Sequence, residues 1–450
     1  MVETNRYATT CIGDSWEPIT PEELCAYFGF MMLMGLVKLP SIYDYWQKDL
    51  VYHYSPIADR ISRKRFFDIH RFIHFANNAT LSAPGSSDYD KLGKIRPILT
   101  SLTDRFSAIY EPGKDLSIDE AMIPYKGRSS LKQYMPNKPV KRGIKIWMRA
   151  EAVNGYVSAL KVYTGKTGKG VEHGLRSSVV KHLSEDLHHT YRHLYFDNFF
   201  SSVDLLLDLL RVGLYGCGTL RSNRKGFPKD LAAYVKKGLK KRGDSVSRTN
   251  QGSNIAVSIW QDNRPVVLIS SNSDPTCSET VLRKKRDGTR DKVPCPTSIA
   301  LYNKYMGGVD RNDQLRGYYH VPIKCRKYYK YIFWFLLDLA STNAYILAKQ
   351  YTTLKISNMK TFRQMLAKEL IGSYAGRKRP GRPSLLPASS KRFCLDHFPT
   401  KGEKQQRCQY CSWKKQRRCT VWQCTDCKAF LCHTGRDDDC FFLFHKQRCI

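Results

Sequence analysis

The segment "GGVDRNDQ" (307–314) carries two carboxylates three residues apart, Asp310 and Asp313, directly after a glycine pair. On a helix that spacing places both on one face. Two further acids stand where strands are expected. Asp119 lies inside "DLSIDEAMIPY", and Asp197 ends "YRHLYFD", just before a helix-like run. Three or four carboxylates gathered from strand ends and a packed helix repel one another unless divalent cations lie among them. Such oxygen donors suit Mg²⁺ or Mn²⁺, and two such ions can promote hydrolysis of a phosphodiester. Taken singly, each acid has a plainer use. Asp119 suits a strand surface, Asp197 an Asx-type turn, and Asp310 and Asp313 a helix start favoured by the macrodipole.

A second constellation lies at the C-terminus. Nine of the 15 cysteines fall between Cys394 and Cys449, an asymmetry that fits a reduced compartment and a local zinc module rather than a secreted disulfide framework. Cys408 and Cys411 form one chelating pair, Cys424 and Cys427 another, and Cys432, Cys440 and His445 follow. Two Zn²⁺ need about eight ligands. These are seven; His397 and His433 compete for the eighth place, and His433 directly abuts Cys432.

The elements that must position these groups follow from periodicity. Residues 1–114 read as mostly helical, with "TPEELCAYFGFMMLMGL" opening on a capping signature at Thr20 and "ISRKRFFDIHRFIHF" amphipathic. From residue 115 the order is strand, a two-strand hairpin turning at Asn154-Gly155, helix, strand, helix, strand. That predicts an α/β class with a ribonuclease H-like catalytic core. The expected divisions are a helical domain, 1–114 and 315–375, and a core, 115–223 and 294–314. An inserted β-rich subdomain with its own small sheet occupies 224–293, a basic linker 376–392, and the cysteine-rich module 393–450. The run "YIFWFLLDLASTNAYILA" (331–348) reads as a buried helix rather than a membrane span, because Asp338 and Asn343 interrupt it.

The formal charge of +34 asks for a polyanionic partner, nucleic acid before an anionic membrane. The opening residues lack the basic-then-apolar pattern of a secretory signal. Lys138, Lys141, Arg142 and Lys145 cluster around "KPVKRGIK", and Arg221, Arg224 and Lys225 in "RSNRK". Both clusters are candidates for phosphate contact. "RKRPGRPS" (377–384), with Arg379 and Arg382, has the make-up of an AT-hook, of a nuclear-localisation signal, or of a charged linker.

Four ordered motifs, "LSIDEAMIPYKGRSSLKQYMPNKPVKRGIK", "YFDNFFSS", "GTLRSNRKGFP" and "YNKYMGGVDRNDQ", resemble the piggyBac transposase family. The resemblance implies a nuclear enzyme, a homodimer on double-stranded DNA. Such an enzyme excises an element through hairpin ends and inserts it at TTAA. It implies Asp119, Asp197 and Asp310 as catalytic, metal-holding acids with Asp313 as an additional one. It also implies a helical dimerisation and DNA-binding domain around the core. Finally, it favours His397 as eighth ligand of a cross-braced module holding two Zn²⁺ and binding the element's ends. Two other readings are a domesticated DNA-binding protein without catalysis and a metal-dependent nuclease without strand joining. For the module alone, binding of a histone tail or another partner is the alternative.

Overall fold

The computed structural model describes residues 1–47, 52, 54–136, 138–165, 174–250, 252–285, 287–323, 325–353, 356–376, 397–436 and 439–446. The chain divides into two units, Met1–Gly376 and Arg377–Ile450. The first begins with helices α1 (Val2–Ile12), α2 (Pro21–Leu36), α3 (Ser55–Ala58), α4 (Arg63–Phe72) and α5 (Arg96–Ala108). Strands β1 (Asp115–Pro124), β2 (Lys132–Tyr134), β3 (Arg142–Glu151) and β4 (Val157–Val162) follow. Next come α6 (Leu175–Leu183), β5 (His193–Phe196), α7 (Val203–Arg211), β6 (Tyr215–Thr219) and α8 (Ala232–Lys237). Strands β7 (Ser245–Thr249), β8 (Ala256–Gln261), β9 (Pro265–Ser270), β10 (Ser278–Lys284) and β11 (Arg290–Pro296) lead into four helices. These are α9 (Thr297–Tyr305), α10 (Gly308–Tyr318), α11 (Tyr328–Tyr351) and α12 (Met359–Ile371).

The expected capping at Thr20 is present: its side chain accepts from Glu23 N, and Pro21 opens α2. Tyr27, Phe30, Met31 and Met34 of α2 are buried. Gly29 lets α12 close on it, since a Cβ there would lie 2.6 Å from Ile371 Cγ1 and 2.8 Å from Ala367 O. Helix α11 is long and apolar enough to cross a membrane, yet 67% of its apolar window is buried inside the protein. Ile332, Phe335, Leu336 and Leu339 join the same apolar core as α2 and α4. Asp338, which interrupts the run, is buried against Arg363.

The main sheet is mixed, with strand order β2-β3-β1-β5-β6-β9-β8-β7 and β4 also paired to β3. Strands β1, β5 and β6 run parallel, and the rest pair antiparallel. The expected separate sheet in 224–293 is therefore confined to β10 and β11. Strands β7–β9 instead extend the main sheet, through Cys217↔Ser270 to Thr219↔Leu268. The hairpin at Asn154-Gly155 is also longer than a two-residue turn. Glu151 N donates to Tyr156 O and Gly155 N to Glu151 O, so residues 152–155 bridge the strands.

The second unit contains β12 (Pro399–Arg407), α13 (Gln409–Trp413), β13 (Cys419–Cys424) and α14 (Cys440–Lys446). Strands β12 and β13 pair antiparallel around a bulge between Lys401 and Gln406. Its core is small: Tyr410, Leu431, Phe441 and Phe444 packed with buried cysteines.

Candidate active site and metal-binding tail

Parallel pairing of β1 with β5 runs to Ile118↔Phe196, so Asp119 and Asp197 stand side by side one position further on. Adjacent strands lie about 4.8 Å apart, and residues on one rung face the same way. Each carboxylate is oriented by the backbone. Glu120 N donates to Asp119 Oδ1 at 2.7 Å, and Phe199 N donates to Asp197 Oδ1 at 2.9 Å. Among the described residues, no hydrogen bond engages the second oxygen of either. Burial raises the Asp119 carboxyl to about 7, with the negative charges of Glu120 and Asp197 adding to it. Burial, with Glu120 again, also lifts Asp197 above its ordinary value.

Asp310 stands on helix α10. That helix packs on β1 through the buried Gly308 and Val309, and Asp310 is an exposed residue of its first turn. Lys138 lies in the field of Glu120, Asp119 and Asp310 together, which outweighs its burial and raises its ammonium pKa. Asp313, one turn further, forms an ion pair with Arg316 at 2.9 Å. The guanidinium of Arg316 also lies over the Phe335 ring. Of the four acids, Asp119 and Asp197 lie one position past the pairing of β1 with β5, Asp310 acts on the same lysine as Asp119, and Asp313 already has a cation of its own.

Two neighbours of the site carried no sequence signal. Glu120, with its side chain 9% exposed, pairs with Lys138 at 3.2 Å and Lys145 at 3.0 Å. Burial pushes its carboxyl up, but the two lysines bring it below the ordinary value. Tyr302 of α9 sits where Asp197 and Asp119 both act on it; burial first, then these charges, hold its phenol up at about 12.

The tail gathers its ligands far more tightly. The donor atoms of His397, Cys424, Cys427 and His445 all lie within 4.8 Å of one another, as do those of Cys408, Cys411, Cys432 and Cys440. Among the described residues, these are the two His, Cys, Asp and Glu groups close enough to hold a metal. The eight expected ligands are thus divided four and four. The two sets interleave along the chain, which is a cross-brace. His397 Nδ1 is 3.2 Å from Cys424 Sγ, and His445 Nε2 is 3.4 Å from Cys427 Sγ. His445 spends its Nδ1 on Phe441 O, an arrangement that aims the other nitrogen inward. His433 instead bonds Asp439 at 2.9 Å. Donor sets of Cys₄ and Cys₂His₂ suit Zn²⁺.

A family profile described as Transposase IS4 matches residues 1–345. The human "PiggyBac transposable element-derived protein 3" is 30% identical over 424 residues, covering 92% of this chain and 69% of that protein. The chain belongs to the piggyBac transposase family. The human "PiggyBac transposable element-derived protein 2" is 29% identical over 429 residues, 91% of this chain and 69% of its own. In fold, the chain is similar to a piggyBac transposase solved as a synaptic complex with hairpin DNA. There the TM-score is 0.71 at 23% identity, over 83% of this chain and 77% of that one.

The basic residues divide by what they already touch. Lys145 is buried, paired with Glu120, and 4.6 Å from the Phe199 ring. Arg224 donates to Asn198 O at 2.7 Å and Phe199 O at 3.1 Å, and Arg221 to Asn198 Oδ1 at 2.9 Å. Both arginines thus brace the turn that presents Asp197. Lys141, Arg142 and Lys225 are exposed, with Arg142 over the Tyr134 ring. Arg379 and Arg382 lie outside the described residues. For this piggyBac-family chain, divalent-metal use is the family's chemistry, and the three carboxylates fit it: each is a hard oxygen donor. Two of them are held by one oxygen with the other unengaged.

Proposed function

We propose that the chain is a cut-and-paste DNA transposase whose ribonuclease H-like core excises an element and joins it at TTAA. The observation that supports this reading is the adjacency of Asp119 and Asp197, each one position beyond the last paired residues of β1 and β5, with Asp310 in the first turn of α10, which packs on β1. Asp119, Asp197 and Asp310 would hold two divalent cations, Mg²⁺ or Mn²⁺. Bound there, the ions supply an activated water or hydroxyl and neutralise charge on the leaving oxygen. The protein's own contribution is placement. Glu120 N and Phe199 N fix one oxygen of each strand carboxylate, and Arg221 and Arg224 hold the turn after β5. Lys138, partly exposed at the edge of the acids, is placed to meet a phosphate, with Lys141, Arg142, Arg221 and Lys225 as further backbone contacts. The tail holds two Zn²⁺ and contacts the element's ends. Arg379 and Arg382 bind a minor groove, and the protein acts in the nucleus as a homodimer.

The test is excision in cells from a plasmid flanked by the terminal repeats that border the chain's own gene. A transposase leaves an unaltered TTAA and a reinserted element. A nuclease without strand joining leaves breaks and no insertion. A DNA-binding protein without catalysis leaves the plasmid intact.

A further inference from the structure

Helix α10 starts without a side-chain cap of its own: its N-cap is Gly307. The first N–H groups of a helix have no partner within it. Here Val309 N donates to Ser117 Oγ at 3.2 Å, a residue 192 positions earlier. Ser117 is fully buried in β1 and lies two residues before Asp119, on the same face of the strand. The contact is close because residue 308 is glycine. A Cβ there would fall 2.4 Å from Ser117 Oγ and 2.7 Å from Glu151 O.

Further along the helix, the fully buried Asn312 donates its Nδ2 to Gly155 O at 2.9 Å, and Arg311 Nη1 donates to Val153 O. Gly155 has φ +81°, and a Cβ on it would lie 3.2 Å from both Asn312 N and Gly308 O. Asn312 Oδ1 is buried without a partner, a state that costs stability. The opposite side of the same turn is fixed by α5 and α11. Asn343 accepts from Val157 N at 3.0 Å and donates to Val157 O at 2.8 Å. Tyr156 OH donates to Phe106 O, and Asn154 Nδ2 to Tyr110 OH. The turn between β3 and β4 is therefore a stop, and the first turn of α10 is pressed between it and β1.

We infer that Ser117 and Asn312 are positioning residues that set Asp310 against Asp119, and so set the metal affinity of the site. The inference rests on the metal-site reading above. A residue that only stabilised the fold would act whether or not Asp310 were present; a positioning residue acts through it.

The experiment measures Mn²⁺ binding to the zinc-loaded full chain from the electron paramagnetic resonance of free Mn²⁺. Ser117→Ala and Asn312→Ala are each expected to raise Kd about 10-fold, the range of residues that orient metal ligands. In an Asp310→Asn background neither adds a further increase, because the group they position is gone. Ser117→Ala removes a single oxygen and carries the test if Asn312→Ala does not fold. Kd values within about twofold of wild type, where Asp310→Asn alone weakens binding, would overturn the inference. So would an undiminished effect in the Asp310→Asn background. If Asp310→Asn itself leaves Mn²⁺ binding unchanged, the metal-site reading fails first and this inference with it.

Discussion

The tail and the carboxylate face solve the problem of gathering ligands in opposite ways. In the tail, eight donor atoms already stand in two groups within 4.8 Å, and apolar side chains such as Tyr410 and Phe444 close around them. On the sheet, two aspartates share a rung and a third arrives on a helix, and no group of three is drawn that close among the described residues. The difference lies in the donors. Thiols and imidazoles can be neutral, so crowding them costs little before an ion arrives. Ionised carboxylates repel one another, and crowding them is relieved only by cations or by taking up a proton, as the raised Asp119 carboxyl does. The thiol and imidazole site is thus built closed, while the carboxylates are kept further apart by their own charge.

Breaking either side of this contrast gives effects of different size. Cys424→Ser should be the largest, since structural zinc sites contribute on the order of 10 kcal/mol to folding. Because the two ligand sets interleave, the tail should lose metal from both groups. Elemental analysis for zinc and limited proteolysis report this, and a retained second zinc with a protected tail would contradict it. Asp197→Asn should lower DNA cleavage by at least about 10³-fold while leaving DNA affinity within about threefold. End-labelled cleavage and fluorescence anisotropy separate the two.

Third comes the pH dependence of Asp119, whose carboxyl burial raises from 3.8 to about 7. Between those values the folded protein holds a proton that the unfolded chain has released. Metal-free stability therefore falls as pH rises through this window and stays reduced above it. Asp119→Asn should stabilise the metal-free protein at pH 8 by on the order of 2 kcal/mol and change little at pH 4, as followed by denaturant unfolding. Saturating Mg²⁺ should reverse the ranking at pH 8. The smallest effect is expected from Asp313→Asn. With Asp313 paired to Arg316, cleavage should drop about tenfold or less. A loss equal to that of Asp197→Asn would make it a full member of the site.

Much of this was legible before any coordinates. Helical spacing located α2, α4 and α11, and the period-two runs located β1 and β5, because those signals are local. The pairs Cys408/Cys411 and Cys424/Cys427 announced a metal tail because chelation fixes their spacing. The choice between His397 and His433 was not local; it turned on Asp439, which takes His433 for itself. The continuation of the sheet through β9 was hidden for the same kind of reason. The pairing of Cys217 with Ser270 joins residues whose own periodicity carries no information about partners. Glu120 escaped notice because it sits beside the more conspicuous Asp119. Its two lysines come from sequence positions read as open to phosphate.

The bond between Val309 and Ser117 spans 192 residues. On the ribosome, β1 emerges long before the helix that carries Asp310. During that interval the growing polypeptide carries first Asp119 alone and then Asp119 with Asp197, and lacks Asp310. The acids that the proposed chemistry needs are therefore not all present until α10 has been made.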